Sequence, residues 1–179
     1  MASLKNVMVD LETLAVTADA VVVSIGAVKF THKKIEDSAF YTPVSVNSNL
    51  NLGRRVDENT LSWWMSQPET ARKVFSQPAI SIEEALEQFS GWLKGEDVLM
   101  WANGADFDLA ILQHAYCQLG VTVPWKFWNN RCFRTVKNTV PFKVPPMDVG
   151  VKHNALDDAL AQARQLQHIW KALDEKAHA

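Results

Sequence analysis

Apolar side chains along the chain follow two periods, and the order in which those periods occur predicts the architecture. Asn6, Val7, Met8 and Val9 form a short run that ends in two carboxylates, and residues 20–30 are rich in β-branched side chains. Both predict strands. Residues 35–46 alternate loosely through Phe40, Tyr41, Val44 and Val46, which predicts a third strand pairing back on the second. The first third of the chain therefore reads as a β-meander. The period then changes. Ser81 and Glu84 form a capping box, and Ile82, Ala85, Leu86, Phe89, Trp92 and Leu93 recur at helical spacing until Gly95. Val98-Leu99-Met100-Trp101 is continuously apolar, as suits a strand buried on both faces. Residues 107–119 and 155–173 have helical spacing. Residues 54–78 predict one or two helical segments, with Pro68 and Pro78 at helix starts.

Composition bounds this picture. A chain of 179 residues that is 47% hydrophobic can bury one substantial core, and no repeat, low-complexity tract or linker interrupts it, so a single domain over residues 1–179 is expected. The formal charge of -2 excludes neither nucleic acid nor metal partners, because bound cations neutralise acidic ligands. Cys117 and Cys132 have no paired CxxC spacing, which argues against a zinc site or disulfide framework and fits a reducing cytoplasm. No run approaches the roughly 20 apolar residues of a membrane span, and no secretory leader is legible, so no membrane partner is expected.

Three separated clusters carry the candidate chemistry. Asp10 and Glu12 lie two apart on the first strand and share a face, roughly 7 Å apart. Asp106 and Asp108 follow the buried strand at a helix start, a place where open α/β sheets build sites. His153 precedes the last helix, with Asp157 and Asp158 in its first turn. Taken singly, each cluster has an ordinary explanation as a solvated edge, a helix-dipole partner or a surface loop.

In combination the clusters resemble the DnaQ-like, or DEDDh, family of 3'-5' exonucleases. Asp10-Leu11-Glu12-Thr13 matches the first motif. Asn103-Gly104-Ala105-Asp106-Phe107-Asp108 matches the second through Ala105, Phe107 and Asp108, with Asn-Gly in place of the family's His-Asn. His153, Asp158 and Ala159 match the third. The resemblance spans almost the whole chain. It implies that Asp10, Glu12, Asp108 and Asp158 are metal ligands, that Asp106 and Asp157 are not, and that His153 is the general base. It also implies a ribonuclease H-like α/β fold, a mixed sheet with an antiparallel meander followed by parallel strands and helices on both faces. Four carboxylates suit two divalent cations, Mg²⁺ or Mn²⁺, over zinc. An imidazole, with a reference pKa of about 6.5, suits proton removal from the attacking water near neutral pH. The implied products are nucleoside 5'-monophosphates released from the 3' end of a single strand. Trp63-Trp64, the run from Arg131 to Thr135 and the compact length look most similar to small phage and bacterial exonucleases, including the actinobacterial exoribonuclease group.

Substrate contacts are expected from four places. Leu11 and Thr13 flank the first carboxylates, and Asn103 opens the second motif. Lys126, Arg131, Arg134, Lys137, Lys143 and Lys152 stand against one acid, Asp148, leaving that segment locally +5. With Trp125, Phe127, Trp128 and Phe133 it offers phosphate contacts, chiefly Arg131 and Arg134, and a stacking platform, or else a solvated basic face over core aromatics. Trp63 and Trp64 point about 100° apart on a helix, so one of them, taken as Trp64, can leave the core for a terminal base, with packing or a homodimer interface as the other reading. DNA and RNA stay equally open. A non-catalytic binding module and a trimming or proofreading subunit of a larger complex are the rival classes.

Overall fold

The computed structural model describes residues 5–95, 97–147 and 149–177, so Asp148, counted above in the basic segment, lies outside the described residues. Five strands, β1 (Lys5–Thr13), β2 (Val22–Phe30), β3 (Phe40–Pro43), β4 (Val98–Ala102) and β5 (Asn130–Cys132), form one sheet in the order β3-β2-β1-β4-β5. The first three pair antiparallel, and β4 and β5 add to β1 in parallel. This is the expected mixed sheet. The helices are α1 (Val46–Asn51), α2 (Glu58–Ser66), α3 (Glu69–Arg72), α4 (Ile82–Leu93), α5 (Asp108–Gln118), α6 (Phe133–Thr139) and α7 (Ala155–Ala177). Among the described residues, no helix is long and apolar enough to cross a membrane.

Strand alternation sorts β1 between two layers. Val7, Val9 and Leu11 join a core with Leu86 and Phe89 of α4 and Leu109 and Leu112 of α5. Met8 faces the other way, against Ala159, Ala163 and Leu166 of α7 and Phe133 of α6. Burial of each large apolar side chain contributes about 1.5–3 kcal/mol, so both layers clamp β1 firmly. Asp10 and Glu12 share the parity of Met8 and so face α7.

Three expectations change. The third strand covers Phe40–Pro43 and stops well short of Val46, because Ser45 caps α1 by accepting the Ser48 N–H. Buried Asn49 then completes the backbone of Val22, accepting its N–H at 3.0 Å and donating to its carbonyl at 3.1 Å. Pro68 does precede a helix, α3, but Pro78 lies in the connection ahead of the Ser81 cap. Two short elements, β5 and α6, occupy the basic segment that had no expected structure.

Candidate active site

Gly26 makes the site geometrically possible. It pairs with Asp10 across β1 and β2, and a Cβ there would fall 2.2 Å from Ala155 C and Leu156 N. Its bare backbone lets the first turn of α7 rest directly on the sheet beside Asp10. Asn154 caps that turn, its Oδ1 accepting the N–H groups of Leu156 at 3.1 Å and Asp157 at 3.2 Å. Asp158 is thereby carried to the carboxylates of β1.

The loop before α7 is held from two sides. The His153 N–H donates to Asp158 Oδ2 at 2.9 Å, and His153 has a left-handed backbone with φ of 62°. Asp157 Oδ2 accepts the Val151 N–H at 2.7 Å, in space that a side chain on Gly150 would fill. As a result, a ring nitrogen of His153 and carboxylate oxygens of Glu12 and Asp158 lie within 4.8 Å of one another. The imidazole also meets the Trp63 ring edge to face, 4.8 Å between centroids.

The parallel pairing of β4 on β1 delivers the third acid. Asp108 is the first residue of α5, is 3% exposed, and accepts the Leu11 N–H through Oδ1 at 3.0 Å. Asp106 is exposed. The geometry therefore distinguishes two acids that the bare sequence leaves as competitors.

Electrostatics show what this arrangement is suited to hold. Burial pushes Asp10 well above the ordinary carboxylate range, and Asp108, Glu12 and Asp158 push it further, against a hydrogen bond from Gln162. Burial, then Asp158 and Asp108, lifts Glu12 to about 8. Burial lifts Asp108 to about 7 although the Leu11 N–H opposes it, and burial raises Asp158 against the His153 N–H. Among the described residues, no lysine or arginine forms an ion pair with any of these four acids. Crowded, buried or half-buried, all-oxygen negative charge, opposed only weakly by Arg134 beyond ion-pair distance of Asp108 and by Lys152 near Asp158, fits divalent cations, whose binding restores the ionised state.

Some participants escaped the sequence. Gln162 donates from Nε2 to Asp10 Oδ1 at 2.7 Å, while its buried Oε1 has no hydrogen-bond partner among the described residues. It lies one helical turn beyond Asp158, and that i,i+4 spacing was the available signal. Asp157 and Gly26 act through backbone geometry that leaves no trace in hydropathy. Trp64 requires a correction. It is only 2% exposed and donates from Nε1 to the Thr13 carbonyl at 2.8 Å, so it braces the end of β1 from inside; Trp63, 42% exposed, is the one turned outward. Leu11, Glu12, Thr13, Val16, Trp63 and Phe107 line a cavity of about 520 Å³ next to the acids. Arg134 donates to the Asn103 carbonyl at 2.6 Å and lies over Gly104, whereas Arg131 sits farther along β5 and donates to the Trp128 and Asn130 carbonyls at 2.9 Å.

A profile of the family described as the 3'-5' exoribonuclease Rv2179c-like domain matches residues 5–170. No curated protein sequence matches the chain. The fold is similar to that of cell-death related nuclease 4 (CRN-4), with 17% identity and a TM-score of 0.62 over 94% of this chain and 64% of that one. It is similar also to the nuclease domain of 3'hExo, a DEDDh family member bound to rAMP, with 12% identity and a TM-score of 0.59 over 94% of this chain and 92% of that one. The chain thus spans less than two thirds of the length of CRN-4.

Proposed function

The chain belongs to the family of the 3'-5' exoribonuclease Rv2179c-like domain, and from that premise we propose that it removes nucleotides one at a time from the 3' end of single-stranded nucleic acid. RNA is the favoured polymer in this reading, supported by the family's description. Asp10, Glu12, Asp108 and Asp158 would hold two divalent cations, Mg²⁺ or Mn²⁺. The single observation that carries the proposal is the convergence of these four acids, Glu12 and Asp108 buried and Asp10 and Asp158 half-buried, from β1, α5 and α7, with no lysine or arginine in an ion pair with them among the described residues. Two such cations supply charge stabilisation to the attacking and leaving oxygens of an in-line displacement.

The side chains have separate tasks. His153 accepts the proton of the attacking water, held in place by its own N–H bond to Asp158 and by the edge of Trp63. The water oxygen bonds to phosphorus as the bond from phosphorus to the 3' oxygen of the preceding nucleotide breaks. The departing 3' oxygen takes a proton from solvent, so the shortened strand carries a 3'-hydroxyl, and a nucleoside 5'-monophosphate leaves. Leu11, Trp63 and Phe107 offer the terminal base an apolar wall, with Thr13 beside it. Gln162 fixes one oxygen of Asp10 and leaves the other for a cation. Arg134, beside Asn103 and Gly104, takes a phosphate upstream of the scissile bond. A cytoplasmic location, in keeping with the free Cys117 and Cys132, is part of the same proposal.

The test is a time course on matched 5'-labelled RNA and DNA strands with Mg²⁺, Mn²⁺ or chelator, beside Asp10→Ala. A metal-dependent ladder that shortens from the 3' end, absent in the variant, is the expected result. Strands that stay bound but intact would assign the chain to the non-catalytic class.

A further inference from the structure

Phe127 and Trp128 are 71% and 61% exposed, the highest values of any aromatic side chains among the described residues, with ring centroids 4.9 Å apart. Their neighbours in the same segment went inside: Trp125 is 7% exposed and Phe133 1%. The exposed pair is not on a loose loop. A 3₁₀ turn over Phe127–Asn129 carries it, and Asp97 anchors that turn by accepting from Asn129 Nδ2 and Lys126 Nζ, both at 2.9 Å. Trp125 Nε1 donates to Asn130 Oδ1 at 2.9 Å just beyond the turn. A firmly tethered turn that presents two apolar rings to water needs an occupant to explain it.

The surroundings indicate which occupant. The turn runs straight into β5, an edge strand parallel to β4, so β5 leads from the rings towards the end of the sheet where Asn103 to Asp108 build the site. Arg131 lies on that path. It uses one terminal amino group on the Trp128 and Asn130 carbonyls, and its Nε–H and other amino group have no hydrogen-bond partner among the described residues. Arg134 follows, touching Asn103 and lying over Gly104. Lys126 is tied to Asp97, so the positive charge along β5 and at the start of α6 belongs to the two arginines. Stacking rings followed by guanidinium donors, ending at a nuclease site, match the chemistry of a single strand: bases on the rings and phosphates on the arginines.

We propose that Phe127 and Trp128 form a stacking station for bases upstream of the 3' end, with Arg131 and Arg134 guiding the backbone between station and site. The proposal rests on the exonuclease reading above. Trp128 lies four positions before Cys132 at the end of β5, a span of at most about 14 Å. At about 3.4 Å per stacked nucleotide, the rings meet bases about four positions or fewer beyond the end of β5. A dinucleotide has no phosphate upstream of its scissile bond for Arg134 to hold and does not extend to the rings, whereas a decanucleotide does.

The experiment compares kcat/KM on a dinucleotide and a decanucleotide, for the natural protein and a Phe127→Ser, Trp128→Ser double variant. The ratio of long to short substrate is the readout, because partial misfolding lowers both rates and cancels. It should fall at least about fivefold in the variant, through KM for the longer strand. An unchanged ratio overturns the station while leaving the exonuclease reading intact. Cleavage of neither substrate by the natural protein overturns the exonuclease reading and the station together. A variant whose sedimentation changes from dimer to monomer with the ratio retained assigns the rings to a subunit contact and overturns the proposal.

Discussion

Replacing Gly26 with alanine adds one methyl group at the point where β2 touches the backbone of α7. That methyl would start 2.2 Å from Ala155 C and Leu156 N, and ordinary contact begins at 3.4 Å, so the helix start must retreat by about 1.2 Å. Neither contacting atom belongs to a flexible side chain that could swing away. The retreat carries Asp158 and the His153 loop away from Asp10, which stands opposite Gly26 in register. If Gln162 moves with the helix, its 2.7 Å bond to Asp10 lengthens to about 3.9 Å and is lost. A displacement of about 1 Å in a catalytic constellation lowers the rate roughly 100-fold, while overpacking of this kind costs about 1–3 kcal/mol of stability. Steady-state rates on a single-stranded substrate, with a thermal melt of the same sample, separate these effects. Gly91 supplies the control: it lies on the exposed face of α4 with nothing within 4 Å of an added Cβ, so Gly91→Ala should leave the rate unchanged and raise stability by about 0.5–1 kcal/mol. A folded Gly26→Ala protein with the natural rate would refute the claim that this backbone contact sets the site.

Metal-free protein should lose stability as pH rises. Glu12, lifted to about 8, and Asp108, lifted to about 7, bind protons in the folded state that they release when unfolded. Their contribution is therefore greatest below the ordinary carboxylate range and is lost as pH climbs through the folded values. Melting curves from pH 4 to 9 should show that decline, with Mg²⁺ or Asp108→Asn abolishing much of it; a metal-independent flat profile would contradict the account. His153→Ala should lower the rate and remove the rising limb that a general base gives the pH–rate profile, whereas profiles of the same shape would exclude His153 as the base. Trp64→Ala should cost about 3–5 kcal/mol in denaturant unfolding by emptying a buried site, while Trp63→Ala should spare stability and raise KM. The reverse pattern would overturn the assignment of the two rings.

Periodic and acidic features of the sequence travelled well into three dimensions, because each reflects one element at a time. The alternation that turns Asp10 and Glu12 to one face, the capped helix after Ser81 and the apolar stripe of α7 are all as read. What stayed illegible depends on two elements meeting. Nothing local marks Gly26 as a contact point or Asp157 as the brace of the His153 loop, and Gln162 is signalled only by its i,i+4 spacing from Asp158. Short elements were lost for a different reason: the three residues of β5 cannot display a period, and α1 is specified by Ser45 and Asn49, whose side chains bond backbone groups that the sequence does not reveal. Adjacent tryptophans present the same difficulty in miniature, since only the Thr13 carbonyl decides which of them turns inward.

Four acids are expected to hold the cations that act on a 3'-terminal phosphodiester. A crystal grown with Mn²⁺ and a nucleoside 5'-monophosphate, measured at the manganese absorption edge, tests this expectation most directly. Two anomalous peaks about 3.5–4 Å apart are expected, enclosed by Asp10, Glu12, Asp108 and Asp158, with the phosphate between them and Asp106 uninvolved. Manganese bound elsewhere, or to Asp106 with these four acids left bare, would contradict it.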